Sequence, residues 1–69
     1  MTILLMENSM QIRVKDNKML TKIVRMVDVT PLRWTVLSDI FLVVEGDGGL
    51  LYELLMGLTV IYSGKIEII

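Results

Sequence analysis

The sequence predicts a small α+β domain, and three observations lead to this prediction. The chain has 69 residues, enough for one domain with a core near the lower size limit. Residues 10–15 alternate apolar and polar side chains, which is the pattern of a half-buried strand. A later segment begins with Thr30-Pro31 and ends at Gly46, residues that commonly open and close a helix.

An N-terminal β-hairpin is the first predicted element. Residues 15–18 are polar and include Asp16 and Asn17, which favour a reversal of the chain after the strand 10–15. The apolar spacing in residues 19–29 suits a helix, whereas their β-branched side chains favour a strand. The short polar turn before this segment favours the strand. One face of strand 10–15 would then carry Met10, Ile12 and Val14.

One main helix over 31–45 is predicted next, because its apolar residues recur at three- and four-residue spacing. A flexible connection at 46–49 and a short second helix over 50–56, stopped by Gly57, follow it. A C-terminal hairpin of strands 58–62 and 65–69 closes the domain. Residues 1–9 form an N-terminal segment, either disordered or with an edge strand at 3–6, and residues 10–69 form the single domain.

Two short motifs resemble the ubiquitin-like and sulfur-carrier β-grasp domains. Met10-Gln11-Ile12-Arg13-Val14-Lys15 is similar to their opening strand, and Tyr62-Ser63-Gly64-Lys65 resembles a turn in the ubiquitin strand hairpin. The resemblance implies a β-grasp-like order of elements over residues 10–69. Those families act through a C-terminal Gly-Gly, whereas this chain ends in Ile68-Ile69. The carrier chemistry is therefore not implied, since a fold alone does not determine function.

The composition argues against an enzyme. The chain has no cysteine and no histidine, which removes thiolate nucleophiles, histidine acid–base chemistry and Cys/His zinc sites. The carboxylates near the glycine-rich stretch lack the spacing of a calcium-binding loop, and a solvated turn is the favoured interpretation. A phosphate cradle at Gly46–Gly49 is disfavoured by Asp47 and by the missing Gly-Lys-Ser/Thr. We therefore expect no catalytic residue, cofactor or metal.

The apolar content predicts a binding partner. Hydrophobic residues make up 54% of the chain without counting glycine, although about 45–50% with glycine is typical of soluble domains. A second copy is favoured as the cover for this surplus, ahead of another protein or lipid. The longest stretch without a charge has eleven residues, Leu54–Gly64, against about 20 needed to cross a membrane. We expect no transmembrane span and a cytoplasmic location.

The basic residues suggest where a partner binds. Residues 1–37 carry six basic and three acidic side chains, whereas residues 38–69 carry one basic and five acidic. The favoured function is a non-catalytic, homo-oligomeric protein–protein interaction module that regulates or inhibits a partner. Its surface would join the apolar face of helix 31–45 to the basic hairpin, with Trp and Arg as typical anchors. The predicted partner-binding residues are Arg13, Lys15, Lys22, Arg33 and Trp34.

The alternative function is a small nucleic-acid-binding regulator. It would use the basic hairpin residues Arg13, Lys15, Lys18 and Lys22 along a phosphate backbone. The sequence pI of about 5.1 and the lack of an aromatic stacking platform beside these residues count against it.

Overall fold

A computed structural model describes residues 7–69 as a four-stranded antiparallel sheet with two helices, which confirms the α+β class. The elements in chain order are β1 (Glu7–Arg13), α1 (Asn17–Asp28), β2 (Arg33–Ser38), β3 (Phe41–Asp47), α2 (Gly48–Ile61) and β4 (Glu67–Ile68). The strands lie in the order β2-β3-β1-β4. This combination of element order and strand order is the split βαβ, or ferredoxin-like, arrangement.

The two central strands build the core by simple alternation. Met10 and Ile12 of β1 are buried, as is Val14 just beyond it, and Leu42 and Val44 of β3 are buried beside them. The predicted strand at 10–15 is therefore confirmed, with bounds at Glu7 and Arg13. The edge strand predicted at 3–6 lies outside the described residues.

The strand predicted over 19–29 is wrong, because this segment forms α1. Asp16 caps the helix, its Oδ1 accepting a hydrogen bond from the backbone N–H of Met19 at 2.9 Å. Helical spacing buries one stripe of side chains, and this burial outweighs the weak strand preference of β-branched residues. The buried stripe consists of Leu20, Ile23 and Val27.

The helix predicted over 31–45 is also wrong, because this segment forms the β2–β3 hairpin. Its aromatic and β-branched residues suit strands, and β3 gains a hydrogen-bonded neighbour on each side. Thr30 closes α1 instead of opening a helix: its hydroxyl donates to the Val27 carbonyl at 2.6 Å and accepts from the Leu32 N–H. A β-bulge between Val36 and Ser38 interrupts the hairpin register.

The second helix is longer than predicted. α2 begins at Gly48, within the connection predicted at 46–49, continues past Gly57 and includes residues 58–61 of the predicted strand 58–62. The predictions of the connection, of a stop at Gly57 and of this strand are therefore wrong. The Asp47 carboxylate caps it by accepting from the N–H of Leu50 at 3.1 Å, and Leu51 and Leu58 anchor it in the core. The packing of Leu51 and Leu58 in the core therefore keeps the segment helical at Gly57, although glycine has a low helix propensity.

The last strand is confirmed only over Glu67–Ile68, and β4 pairs with β1 rather than with a neighbouring C-terminal strand. The hairpin–helix–hairpin order that the β-grasp resemblance implied is therefore not the order of elements observed. Both helices cover the same face of the sheet, with α1 over β2 and β3 and α2 over β1 and β3. No helix within residues 7–69 is long and apolar enough to cross a membrane.

Candidate interaction surfaces

The five predicted partner-binding residues are all exposed, but they do not form one patch. Arg13 ends β1 opposite Phe41 of β3, whereas Arg33 begins β2 opposite Glu45. These two positions are four residues apart along β3, or about 13 Å at the usual rise per residue. Lys15 lies in the loop after β1, and Lys22 lies on α1. The surface predicted from a helix at 31–45 therefore does not exist in this form.

Arg13 is engaged within the molecule. Its guanidinium lies 2.9 Å from the Glu67 carboxylate through Nη2, and its Nε donates to the same oxygen at 3.0 Å. The pair joins β1 to β4 at the point where the two residues face each other in the ladder. Both side chains are at least half exposed, so the pair contributes at most about 1 kcal/mol to stability.

Trp34 lies at the edge of the sheet, beside the C-terminal end of α1. It faces the same side of the sheet as Val44, its neighbour in β3, which is the side that the helices cover. Its indole Nε1 donates a long hydrogen bond, 3.4 Å, to the Asp28 carboxylate. The ring nevertheless remains 38% exposed, because α1 does not cover the outer side of β2 completely.

A row of cations on α1 was only partly identified from the sequence. Lys18, Lys22 and Arg25 follow each other at helical spacing and lie opposite the buried stripe of α1; we call them the basic ridge. None of the three forms an ion pair with any residue between 7 and 69. Arg25 is not among the predicted binding residues, because strand spacing does not place it beside Lys18 and Lys22.

A groove of about 250 Å³ separates the two helices. Among the described residues that line it, Glu53 is the only charged one, and the others are mostly apolar. The lining residues are Met26, Thr30, Leu50, Glu53, Leu54 and Gly57. In the part of the chain that the structure describes, no three acidic side chains gather closely enough to hold a metal ion.

The outer face of α2 is the most unusual surface of the molecule. Tyr52, Met56 and Val60 follow each other at four-residue spacing on the side away from the core; we call them the α2 stripe. They are 62%, 49% and 77% exposed. Glu53 is the only charged residue of this 14-residue helix. A helix that is apolar on all sides is usually buried on all sides, so the α2 stripe marks an apolar surface that residues 7–69 leave uncovered.

The outer edge of β2, which pairs only with β3 within residues 7–69, is the second exposed apolar surface. Trp34, Val36 and Leu37 are all exposed there, on a strand that contains neither lysine nor proline. Exposed edge strands usually carry such residues, because they prevent pairing with another chain. We call these three residues the β2 edge. Residues 33–38 alternate as a strand would, but the apolar residues of 32–44 fit helical spacing equally well. The sequence alone therefore does not predict this edge strand.

No protein-family model matches this chain, and no curated protein or solved structure shows significant similarity to it.

Proposed function

We propose that this protein is a non-catalytic protein–protein interaction module that acts as a homo-oligomer and regulates or inhibits the protein it binds. The exposed α2 stripe is the observation that carries the proposal. It offers an apolar contact on the rigid face of a capped helix, and aromatic and methionine side chains are favoured at such contacts.

A protein fits the α2 stripe better than a lipid surface does. Helices that lie on membranes carry lysine and arginine on their polar side, where these residues meet anionic headgroups. α2 has no basic residue, and its one charge, Glu53, is acidic. The α2 stripe therefore favours a partner with an apolar groove or helix face.

Site-specific photo-crosslinking in cells that make the protein tests this proposal. A photoreactive phenylalanine analogue replaces Tyr52, and in the control it replaces Thr21, an exposed residue of α1. We expect one discrete protein adduct from position 52, its loss when Met56→Lys is added, and no matching adduct from position 21. Equal adducts from both positions, no adduct at all, or an adduct with a second copy would contradict a foreign partner at the α2 stripe.

A second candidate function, nucleic-acid binding, is supported by the basic ridge. Three cations that lie on one helix face, and that form no ion pair with the other described side chains, can contact successive phosphates. Each phosphate contact steepens the slope of log K against log salt concentration by about 0.9. Fluorescence polarisation with labelled RNA and DNA, at low and high salt, measures this. We expect Lys22→Glu with Arg25→Glu to abolish binding and Lys65→Glu, a cation away from the ridge, to leave it intact. Equal losses in both proteins would exclude the ridge as the site.

A further inference from the structure

We infer that two copies of this chain join their sheets by antiparallel pairing of β2 with β2, with Thr35 facing Thr35 of the second copy. The inference concerns an interaction surface, the β2 edge, and its occupant is a second copy of the chain. It rests on the homo-oligomer of the proposed function and specifies which surface forms it.

The register follows from the faces of the strand. In a continuous sheet, residues that face each other across two strands point to the same side. Trp34 and Val36 point to the helix side, because they pair with Val44 and Leu42 of β3. Centring the joint on Thr35 puts Trp34 opposite Val36 of the second copy, and Val36 opposite its Trp34. Pairs of an aromatic and a β-branched residue are among the favourable cross-strand contacts.

Neighbouring registers fit less well. A joint centred on Val36 would need the segment beyond the bulge, where Ser38 pairs with Phe41 and has changed faces. A joint centred on Trp34 would draw on Leu32, which precedes β2 and is already buried in the core. The Thr35 register uses only residues 33–37.

Charge also favours this joint. Arg33 is the only charged residue in β2, and the antiparallel register places it opposite Leu37 of the second copy rather than against another Arg33. The side of α1 that faces β2 carries Asp28, which bonds to Trp34, whereas the basic ridge lies on the solvent side of α1, opposite its buried stripe.

The α2 stripe stays accessible in this dimer. α2 packs on β1 and β3, whereas the β2 edge is the outer border of the neighbouring strand β2. The two copies would therefore present two separate α2 stripes, and the two apolar surfaces can be tested independently.

The first experiment measures the mass of the full chain in solution by light scattering behind a sizing column. We expect twice the chain mass of 7.9 kDa for the natural sequence and for Val60→Lys, but 7.9 kDa for Val36→Lys. The two variants place the same new charge on the β2 edge and on the α2 stripe, and circular dichroism checks that both are folded. A dimer that survives Val36→Lys overturns the inference while the homo-oligomer stands. A natural chain that is monomeric overturns both.

The second experiment tests the register without disturbing the apolar contacts. The chain has no cysteine, so Thr35→Cys introduces a single thiol. Residues facing each other in an antiparallel ladder have Cα atoms about 4.5–5.5 Å apart, within the range of a disulfide. We expect Thr35→Cys to form a disulfide-linked dimer at least tenfold faster than Thr59→Cys, an exposed threonine on α2. Equal rates would overturn the inference.

Discussion

Two glycines illustrate how differently the same residue type is used in this fold. Gly57 lies in the interior of α2, and a Cβ built on it meets no atom within 4 Å. Glycine costs a helix interior about 0.5–1 kcal/mol relative to alanine. We therefore expect Gly57→Ala to raise the free energy of unfolding by about that amount, measured by urea denaturation.

Gly46 provides the matched contrast. Its φ is +145°, and a Cβ there would lie 2.8 Å from Cδ2 of Leu32. Backbone strain of this kind costs about 1–3 kcal/mol, and the contact with the buried Leu32 adds to it. Gly46→Ala should therefore lower the free energy of unfolding in the same experiment. A change of the same sign in both variants would contradict the roles given to the two glycines.

At the scale of the element, α2 depends on a single capping side chain. Replacing an N-cap carboxylate by alanine costs about 0.5–2 kcal/mol. Asp47→Ala should show this loss in thermal or urea unfolding, because the Asp47 carboxylate accepts a hydrogen bond from the N–H of Leu50. Asp47→Asn is the control, since asparagine is an equally good cap. If both variants lose the same amount, the charge of Asp47 at the helix N-terminus matters and its capping bond does not.

The elements that could be predicted from the sequence are those with one dominant signal. Met10, Ile12 and Val14 alternate with polar residues and suit no helix, and β1 is a strand. Residues 50–56 are strong helix formers, and they lie in α2. In both segments, local preference and burial favour the same structure.

Two of the wrong predictions involve segments that satisfy both periodicities. In 19–29, β-branched side chains suggested a strand, but the stripe of Leu20, Ile23 and Val27 is what the core requires. In 31–45, the helical spacing was real, but Leu42 and Val44 are buried by alternation because β3 is a central strand. Which periodicity prevails is decided by neighbours distant in sequence, and these cannot be read from a local window.

At the scale of the whole molecule, the core is small and every large side chain in it matters. Domains below about 70–80 residues rarely gain more than about 3–5 kcal/mol from one apolar core. Leu58 is fully buried between α2 and the sheet, and truncating such a leucine costs about 2–5 kcal/mol. We therefore expect Leu58→Ala to be largely unfolded.

Amide peak dispersion in NMR spectra measures this. Val60→Ala is the control, because Val60 belongs to the same helix but is 77% exposed. A well-folded Leu58→Ala protein would show that the stability does not depend on this core contact.

The apolar surplus of the sequence predicts a binding partner, yet the sequence could not locate the exposed apolar side chains that such a partner would cover. The α2 stripe lies within residues 50–62, for which the sequence predicted a short helix followed by a strand. The cations Lys18 and Lys22 were recognised, but their alignment with Arg25 appears only on a helix. The sequence therefore identifies some residues of the candidate surfaces, but it does not show how these residues are arranged in space.

The shortness of β4 bears on how the inferred dimer closes. A sheet with two adhesive borders can add copies at both and lengthen into a fibre. β4 has only two residues, and the ion pair of Arg13 and Glu67 ties it to β1. In the dimer that we infer, each copy uses its β2 border once, so the twofold pair is closed at that border, and β4 presents only two residues to a further copy.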